Sequence, residues 1–250
     1  MERDGRELLA AEGIRVRFGA LTVLDGVTFA VSAGEAVGIV GPNGAGKTTL
    51  LNVLAGSLRP DDGLVRLRRD DVTAIGAAAR CRLGVARSHQ VPRPFGNLTV
   101  FENVLVGATA GGARRGIDAR RRSLDVLDRC GLAALANRRA DGMGLLDRKR
   151  LEMARALATD PAVLLLDEIG GGLTDAEADD LVDAVRAIRD QGVAIVWIEH
   201  IVHVLVRLVG RLVCLDAGRV IADGPPDAVM GDAAVIDAYV GVGPKPRPDL

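Results

Sequence analysis

The sequence predicts an α/β fold: a core with a parallel sheet, an N-terminal antiparallel β subdomain and an inserted helical subdomain. Three observations predict it. Residues 37–40 form an apolar run that leads into a glycine-rich loop, Gly41-Pro-Asn-Gly-Ala-Gly46, and then a helix whose inner face is Leu50, Leu51, Val53 and Leu54. Residues 162–166 and 193–198 are apolar throughout, as strands of a parallel sheet buried on both faces are. Elsewhere the pattern changes, to short alternating segments before residue 37 and to helical periodicity over about 87–158.

In chain order, Ile14-Arg-Val-Arg-Phe18 alternates with period two, Gly19 and Ala20 turn, and residues 21–31 supply more strand formers before a turn at 32–35. Past the first helix, Pro60-Asp-Asp-Gly63 is a turn and residues 64–67 a short strand. Val91-Pro-Arg-Pro94 reads as a loop, and Thr99 with Glu102 forms a capping box that opens a helix. Residues 107–116, glycine-rich with Arg114 and Arg115, read as a mobile surface loop. Helical patterns follow around 120–136 and 147–158, the second closed by Asp160-Pro161. After the strand at 162–166, Thr174 and Glu177 make a second capping box, for a helix with Leu181, Val185 and Ile188 inward and Gly192 past its end. The strand at 193–198, a helix from about 201 to 208, a strand at 211–215 and short helices within 227–240 complete the alternation. The domain is expected to span 7–240, with 241–250 a disordered tail.

Composition excludes several classes. With 32 basic against 33 acidic residues there is no global basic field to hold nucleic acid or anionic lipid. Aromatic residues make up 2%, so the core must come from Val, Leu, Ile and Ala. Cys81, Cys130 and Cys214 are far apart and form no C-x-x-C pair; they read as small buried hydrophobes in a reducing compartment. The charged N-terminus lacks a signal-peptide core, and the apolar stretch 201–215 is interrupted by His203, Arg207 and Arg211 and is too short to span a bilayer. The chain is expected in the cytosol, held at a membrane only through a partner.

The loop with Lys47 and Thr48 satisfies G-x-x-x-x-G-K-[ST] in the strand–loop–helix setting that the motif requires, which makes the core a P-loop NTPase. Glycines let successive N–H groups turn inward around an anion, and the helix N-terminus adds its positive dipole end. Lys47 is expected on the β- and γ-phosphates and the Thr48 hydroxyl on Mg²⁺. Gly41, Pro42, Asn43, Gly44, Ala45, Gly46 and Thr49 are expected to complete the cradle. Asp167 and Glu168 close the strand at 162–166, at the sheet end where ligands of open α/β folds sit. Adjacent carboxylates point in different directions and can divide the work. Asp167 is expected to hold Mg²⁺ and Glu168 to polarise the attacking water. His200 holds the same position one strand over, beside the expected γ-phosphate, and the Gln90 amide could complete the Mg²⁺ shell or place the water.

This set resembles the ATP-binding subunit of an ABC transporter over nearly the whole chain. Residues 41–48 match the Walker A motif, Gln90 the Q-loop glutamine, residues 163–167 the Walker B strand, Glu168 the catalytic glutamate and His200 the switch histidine. Within the family the chain is most similar to branched-chain amino-acid importers, through residues 16–25, 97–103, 150–158 and 218–224. The resemblance implies Phe18 as the aromatic that stacks on adenine. It also implies ATP and Mg²⁺ as ligands, and an ATP-driven dimer with a second ATP-binding subunit, identical or different. The further implied partners are separate transmembrane permease subunits, touched by the helical insertion and residues 90–101, and indirectly a solute-binding protein. The implied location is cytoplasmic, peripheral on the inner face of the cell membrane.

Two departures stand out. Where the family carries Leu-Ser-Gly-Gly-Gln, its signature motif, this chain has Met143-Gly144-Leu145-Leu146-Asp147, and Ile169 replaces the proline usual after the catalytic glutamate. The altered signature favours a different partner carrying an intact one, and Leu146 is expected to obstruct tight closure. Two other readings compete with transport. A soluble ABC protein acting on nucleic acid or ribosomes generally carries two cassettes, a long coiled coil or basic extensions, none of which is visible. A small-molecule kinase is disfavoured by Glu168, His200 and the signature-position helix together.

Overall fold

The computed structural model describes residues 7–240. β1 (Glu7–Phe18) and β2 (Leu21–Ser32) form the antiparallel hairpin that the alternating pattern predicts. β3 (Ala36–Val40) leads through the glycine loop into α1 (Lys47–Ala55), and β4 (Asp62–Leu67) and β5 (Asp70–Asp71) return to complete a four-stranded sheet of order β2-β1-β4-β5. Next come α2 (Ala77–Arg82), β6 (Val85–Arg87), α3 (Val100–Val106), α4 (Gly116–Arg129) and α5 (Leu145–Leu157). The chain then alternates: β7 (Val163–Asp167), α6 (Asp175–Arg189), β8 (Ala194–Ile198), α7 (Val202–Leu205) and β9 (Arg211–Asp216). It closes with β10 (Arg219–Gly224), α8 (Pro226–Met230) and α9 (Ala233–Val240).

The second sheet has six strands in the order β10-β9-β3-β8-β7-β6. β9, β3, β8, β7 and β6 are parallel, and β10 returns antiparallel on β9. Strand pleat divides the core into two layers. Leu164, Leu166, Ile195 and Trp197 face the helical side, where they meet Val126, Leu151, Leu181 and Val185. Val163, Leu165, Ala194, Val196 and Ile198 face α1 and the antiparallel sheet, where they meet Leu50, Leu54, Val27 and Phe29. The core is almost wholly aliphatic, as the composition requires, and Trp197 is its largest fully buried side chain. Cys130 and Cys214 are buried and Cys81 partly so, and all three are free thiols.

Both capping boxes form: Thr99 accepts from the Glu102 N–H on α3, and Thr174 from that of Glu177 on α6. Other expectations need correction. The glycine-rich stretch at 107–116 is no mobile loop at its start: residues Gly107–Gly111 continue α3 as a π-helical turn with Ala108 fully buried. A Cβ on Gly107 would fall on the Arg155 carbonyl oxygen, and one on Gly111 on the Thr159 side chain, so these glycines serve close packing. The helix expected at 120–136 spans Gly116–Arg129, because Gly131 turns left-handed at φ 67° and only a 3-10 turn follows, at Ala133–Leu135. The helix expected at 201–208 shrinks to α7, and α2 and β10 had no sequence forecast. The tail expected at 241–250 lies outside the described residues. Among the described residues no helix is long and apolar enough to cross a membrane.

Candidate nucleotide site

The glycine loop is held open by backbone that only glycine adopts readily. Gly41, Gly44 and Gly46 have φ of 143°, 82° and 102°. A Cβ on Gly46 would meet the Val23 carbonyl oxygen at 2.8 Å. Gly46 is the N-cap of α1 and offers no side-chain cap, so the first N–H groups of the helix are left to an anion. Lys47 is 5% exposed, and its ammonium donates to the carbonyl oxygens of Gly41 (2.7 Å) and Pro42 (3.0 Å). Burial lowers its pKa, while Glu168 and Asp167 oppose that shift. A cleft of about 360 Å³ is lined by Asn43, Gly44, Ala45, Gly46, Lys47, Thr48 and Thr49, by Leu21 and Val23 from β2, and by Glu168 and His200.

Glu168 sits just past β7 with φ 49°, a left-handed conformation that costs a non-glycine residue roughly 1–3 kcal/mol. Its N–H donates to the Ile198 carbonyl oxygen at 2.9 Å, which ties the turn to β8. The Glu168 carboxylate then takes two partners. His200 Nε2 lies 2.6 Å from Oε1, and Gln90 Nε2 donates to Oε2 at 2.5 Å. The three groups expected to do chemistry, 78 and 32 positions apart in sequence, thus meet on one carboxylate.

Asp167 points elsewhere, into the sheet end. It is 3% exposed; Arg87 bonds Oδ2 at 2.7 Å and Oδ1 is buried without a partner. Together with the Thr48 hydroxyl, that oxygen fits a small hard cation. Mg²⁺ takes one or two protein oxygens and leaves the remaining positions to phosphate and water. The Asp167 and Thr48 side chains share a second cleft of about 310 Å³ with Arg87, His89, Gln90, Val91 and Arg93. Phe18 is 54% exposed at the end of β1; the hairpin residues that line the nucleotide cleft are Leu21 and Val23.

Sequence reasoning missed three residues here. Arg87 bridges Asp167 and the Asn52 side chain of α1; a charge closing the short apolar segment Val85-Ala86 was the available signal. Glu199, beside His200, is 2% exposed and accepts from the Gly170 N–H and from Trp197 Nε1 at 3.2 Å. Burial raises its pKa, and Lys149 on α5, itself 4% exposed, works against that shift. Tyr239 accepts a hydrogen bond from the Gly41 N–H, and nothing in the local sequence announces it.

In the altered signature, Gly144 is the N-cap of α5 without a side-chain cap bond, and Asp147 sits in the first turn. Leu146, expected to obstruct closure, is partly buried against the core; Leu145 is the exposed one, and a Cβ on Gly172 would lie 3.3 Å from its Cδ2.

A phosphate loop on a parallel sheet, with a magnesium-suited aspartate and a glutamate held by glutamine and histidine at the sheet end, defines a P-loop nucleotide hydrolase. The ABC transporter family model matches residues 24–170, and a branched-chain amino acid ATP-binding cassette transporter model matches residues 219–244. The high-affinity branched-chain amino acid transport ATP-binding protein LivG of Salmonella typhimurium is 33% identical over 249 residues, covering 94% of this chain and 98% of the relative. BraF of Pseudomonas aeruginosa, named likewise, is 33% identical over 251 residues with the same coverage. A crystal structure of the ADP conformation of an ATP-binding cassette of an ABC transporter superposes with TM-score 0.85 at 30% identity, covering 94% of this chain and 99% of that one. The chain belongs to the ABC transporter family, as one of its ATP-binding, ATP-hydrolysing subunits.

Proposed function

We propose that this chain powers import of branched-chain or related amino acids, docked through permease subunits on the cytoplasmic face of the cell membrane. It closes on ATP against a second ATP-binding subunit, and a solute-binding protein supplies the solute. The solute class rests on the relatives' names and on the match at residues 219–244. Hydrolysis rests on one observation, the convergence of Gln90 and His200 on Glu168, which with His200 lines the phosphate-loop cleft.

The geometry supports a role for each residue. The loop N–H groups and Lys47 bind the phosphates, and the Lys47 ammonium exchanges its bonds to Gly41 and Pro42 for phosphate oxygens. Glu168 accepts a proton from the attacking water, with His200 and Gln90 fixing its two oxygens. Asp167 Oδ1 and the Thr48 hydroxyl would hold Mg²⁺, with the Gln90 amide oxygen as a further ligand, and the ion would neutralise phosphate charge. Phe18 at the hairpin tip would take the adenine face.

The test is ATPase activity of the complex assembled with its native membrane partners, measured across a solute panel. Branched-chain amino acids are expected to stimulate it, and Glu168→Gln to cut turnover by about 10²-fold or more while ATP binding survives. Stimulation by an unrelated solute class alone would reject the solute assignment. An undiminished rate in Glu168→Gln would remove Glu168 from the chemistry.

A further inference from the structure

The end of the described chain returns to the phosphate loop. α9 anchors itself on the core through Val235, which is 1% exposed. One turn later it presents Tyr239, the chain's single tyrosine. The phenol oxygen accepts the Gly41 N–H at 2.8 Å across 198 positions of sequence. Gly41 is where β3 ends and the phosphate loop begins. Its φ of 143° suits glycine alone, and a Cβ there would overlap the Leu215 carbonyl oxygen. The same residue's carbonyl oxygen accepts Lys47 Nζ at 2.7 Å. One residue is therefore held by α9 through its N–H and by the phosphate-binding lysine through its C=O. The parallel ladder ends before Gly41 on both sides, since β3 pairs with β8 only as far as Ile39 opposite Ile198 and with β9 only as far as Val40 opposite Cys214. The general ABC match ends at residue 170, whereas the branched-chain match at 219–244 contains Tyr239.

We propose that Tyr239 is a positioning residue for the phosphate loop, and that α9 thereby sets this subunit's affinity for ATP. The proposal rests on residues 41–49 being the ATP site. Without the phenol oxygen the Gly41 N–H loses its bond, the loop entry is free to rotate, and part of the cradle must be ordered again when nucleotide binds. Chemistry at Glu168 is untouched once nucleotide is seated. The effect belongs to binding.

Tyr239→Phe keeps the ring and removes only the oxygen. Made in the full chain, it is expected to raise the ATP Kd and the KM by about 3- to 10-fold, the range of one ordinary hydrogen bond, with kcat at saturating ATP within about twofold. Amide exchange at Gly41 should quicken in the same variant. Tyr239→Ala should do at least as much, and Lys47→Ala should abolish ATP binding. If Lys47→Ala still binds ATP, the site assignment fails. If Lys47→Ala loses ATP while Tyr239→Phe keeps wild-type Kd and Gly41 exchange, the Tyr239 proposal is overturned. A lowered melting temperature with unchanged Kd would make the contact purely structural and would also overturn it.

Discussion

Arg87 and Asp167 place opposite charges nearly out of water, their side chains 12% and 4% exposed, within 2.7 Å of one another. Such a pair costs desolvation on both sides, so its value lies in what each charge prevents for the other. Arg87 also binds the Asn52 side chain, which fixes the guanidinium between α1 and β7 and leaves Asp167 Oδ1 as the free oxygen. Arg87→Met should lower the free energy of unfolding by about 3 kcal/mol, because a buried carboxylate then stands uncompensated. Adding Asp167→Asn should recover part of that loss. Denaturant titrations of the two variants check it, and a loss under about 1 kcal/mol for Arg87→Met would show that water reaches Asp167 freely. At this scale the sequence was most legible where a residue's role depends on its strand end. Asp167, Glu168 and His200 each follow an apolar run, and Gln90 lies just past β6, so their meeting could be read. Arg87, Glu199 and Tyr239 were not legible as partners, because their bonds run across 80, 29 and 198 positions and no local pattern encodes such distances.

α5 carries the signature at one end and, further along, holds the segment that follows Gln90. Arg155 donates to the Arg93 carbonyl oxygen at 2.9 Å, pairs with Glu152 at 2.8 Å and lies over the Phe95 ring at 4.8 Å. From α3, the fully buried Asn103 accepts the Phe95 N–H at 2.8 Å and donates back to its carbonyl oxygen at 3.1 Å. Position of the Gln90 loop is thus set by how α3 and α5 pack, and the glycines at 107 and 111 let them approach. Gly107→Ala separates two effects of opposite sign. Helix propensity favours Ala by about 1 kcal/mol. The added methyl collides with the Arg155 carbonyl, and overpacking of this kind typically costs about 1–3 kcal/mol. The backbone cannot yield as a side-chain tip can, so we expect net destabilisation and faster amide exchange across Phe95 to Thr99. A stabilised variant would show that this contact is not close-packed. The stretch was misread because glycine has two uses, freedom and close approach, and only the neighbouring helix tells them apart. The capping boxes at Thr99 and Thr174 were legible because each is complete within four residues.

Across the whole molecule, the nucleotide cleft and the N-terminus of α5 are the two halves that ATP-driven closure would bring against a second cassette. Here they are unequal. The cleft is lined by Lys47, Thr48, Glu168 and His200, whereas the α5 N-terminus carries no capping hydroxyl, an exposed Leu145, and Asp147 in its first turn. That carboxylate favours the helix through its dipole. It would oppose a phosphate brought up by a partner, because like charges repel. The structure also says where a repair can be made. Leu146 is partly buried against the core, so exchanging it for the family's glycine would lose that packing and put a glycine in the first helical turn, at a cost of roughly 1–3 kcal/mol. Gly144 has extended backbone at φ −64° and ψ 170°, with nothing within 4 Å of a Cβ placed there, so Gly144→Ser adds a hydroxyl without strain. Serine at an N-cap is no worse than glycine for the helix, and its hydroxyl would offer a donor to a phosphate brought up there. Gly144→Ser should leave the melting temperature of the lone subunit equal or slightly higher. In the assembled transporter it should raise ATP turnover roughly tenfold, the contribution of one charge-assisted hydrogen bond. If turnover instead stays the same while the subunit remains folded, the segment Leu145-Leu146-Asp147 already functions as it stands, and the asymmetry between the two halves has no kinetic consequence.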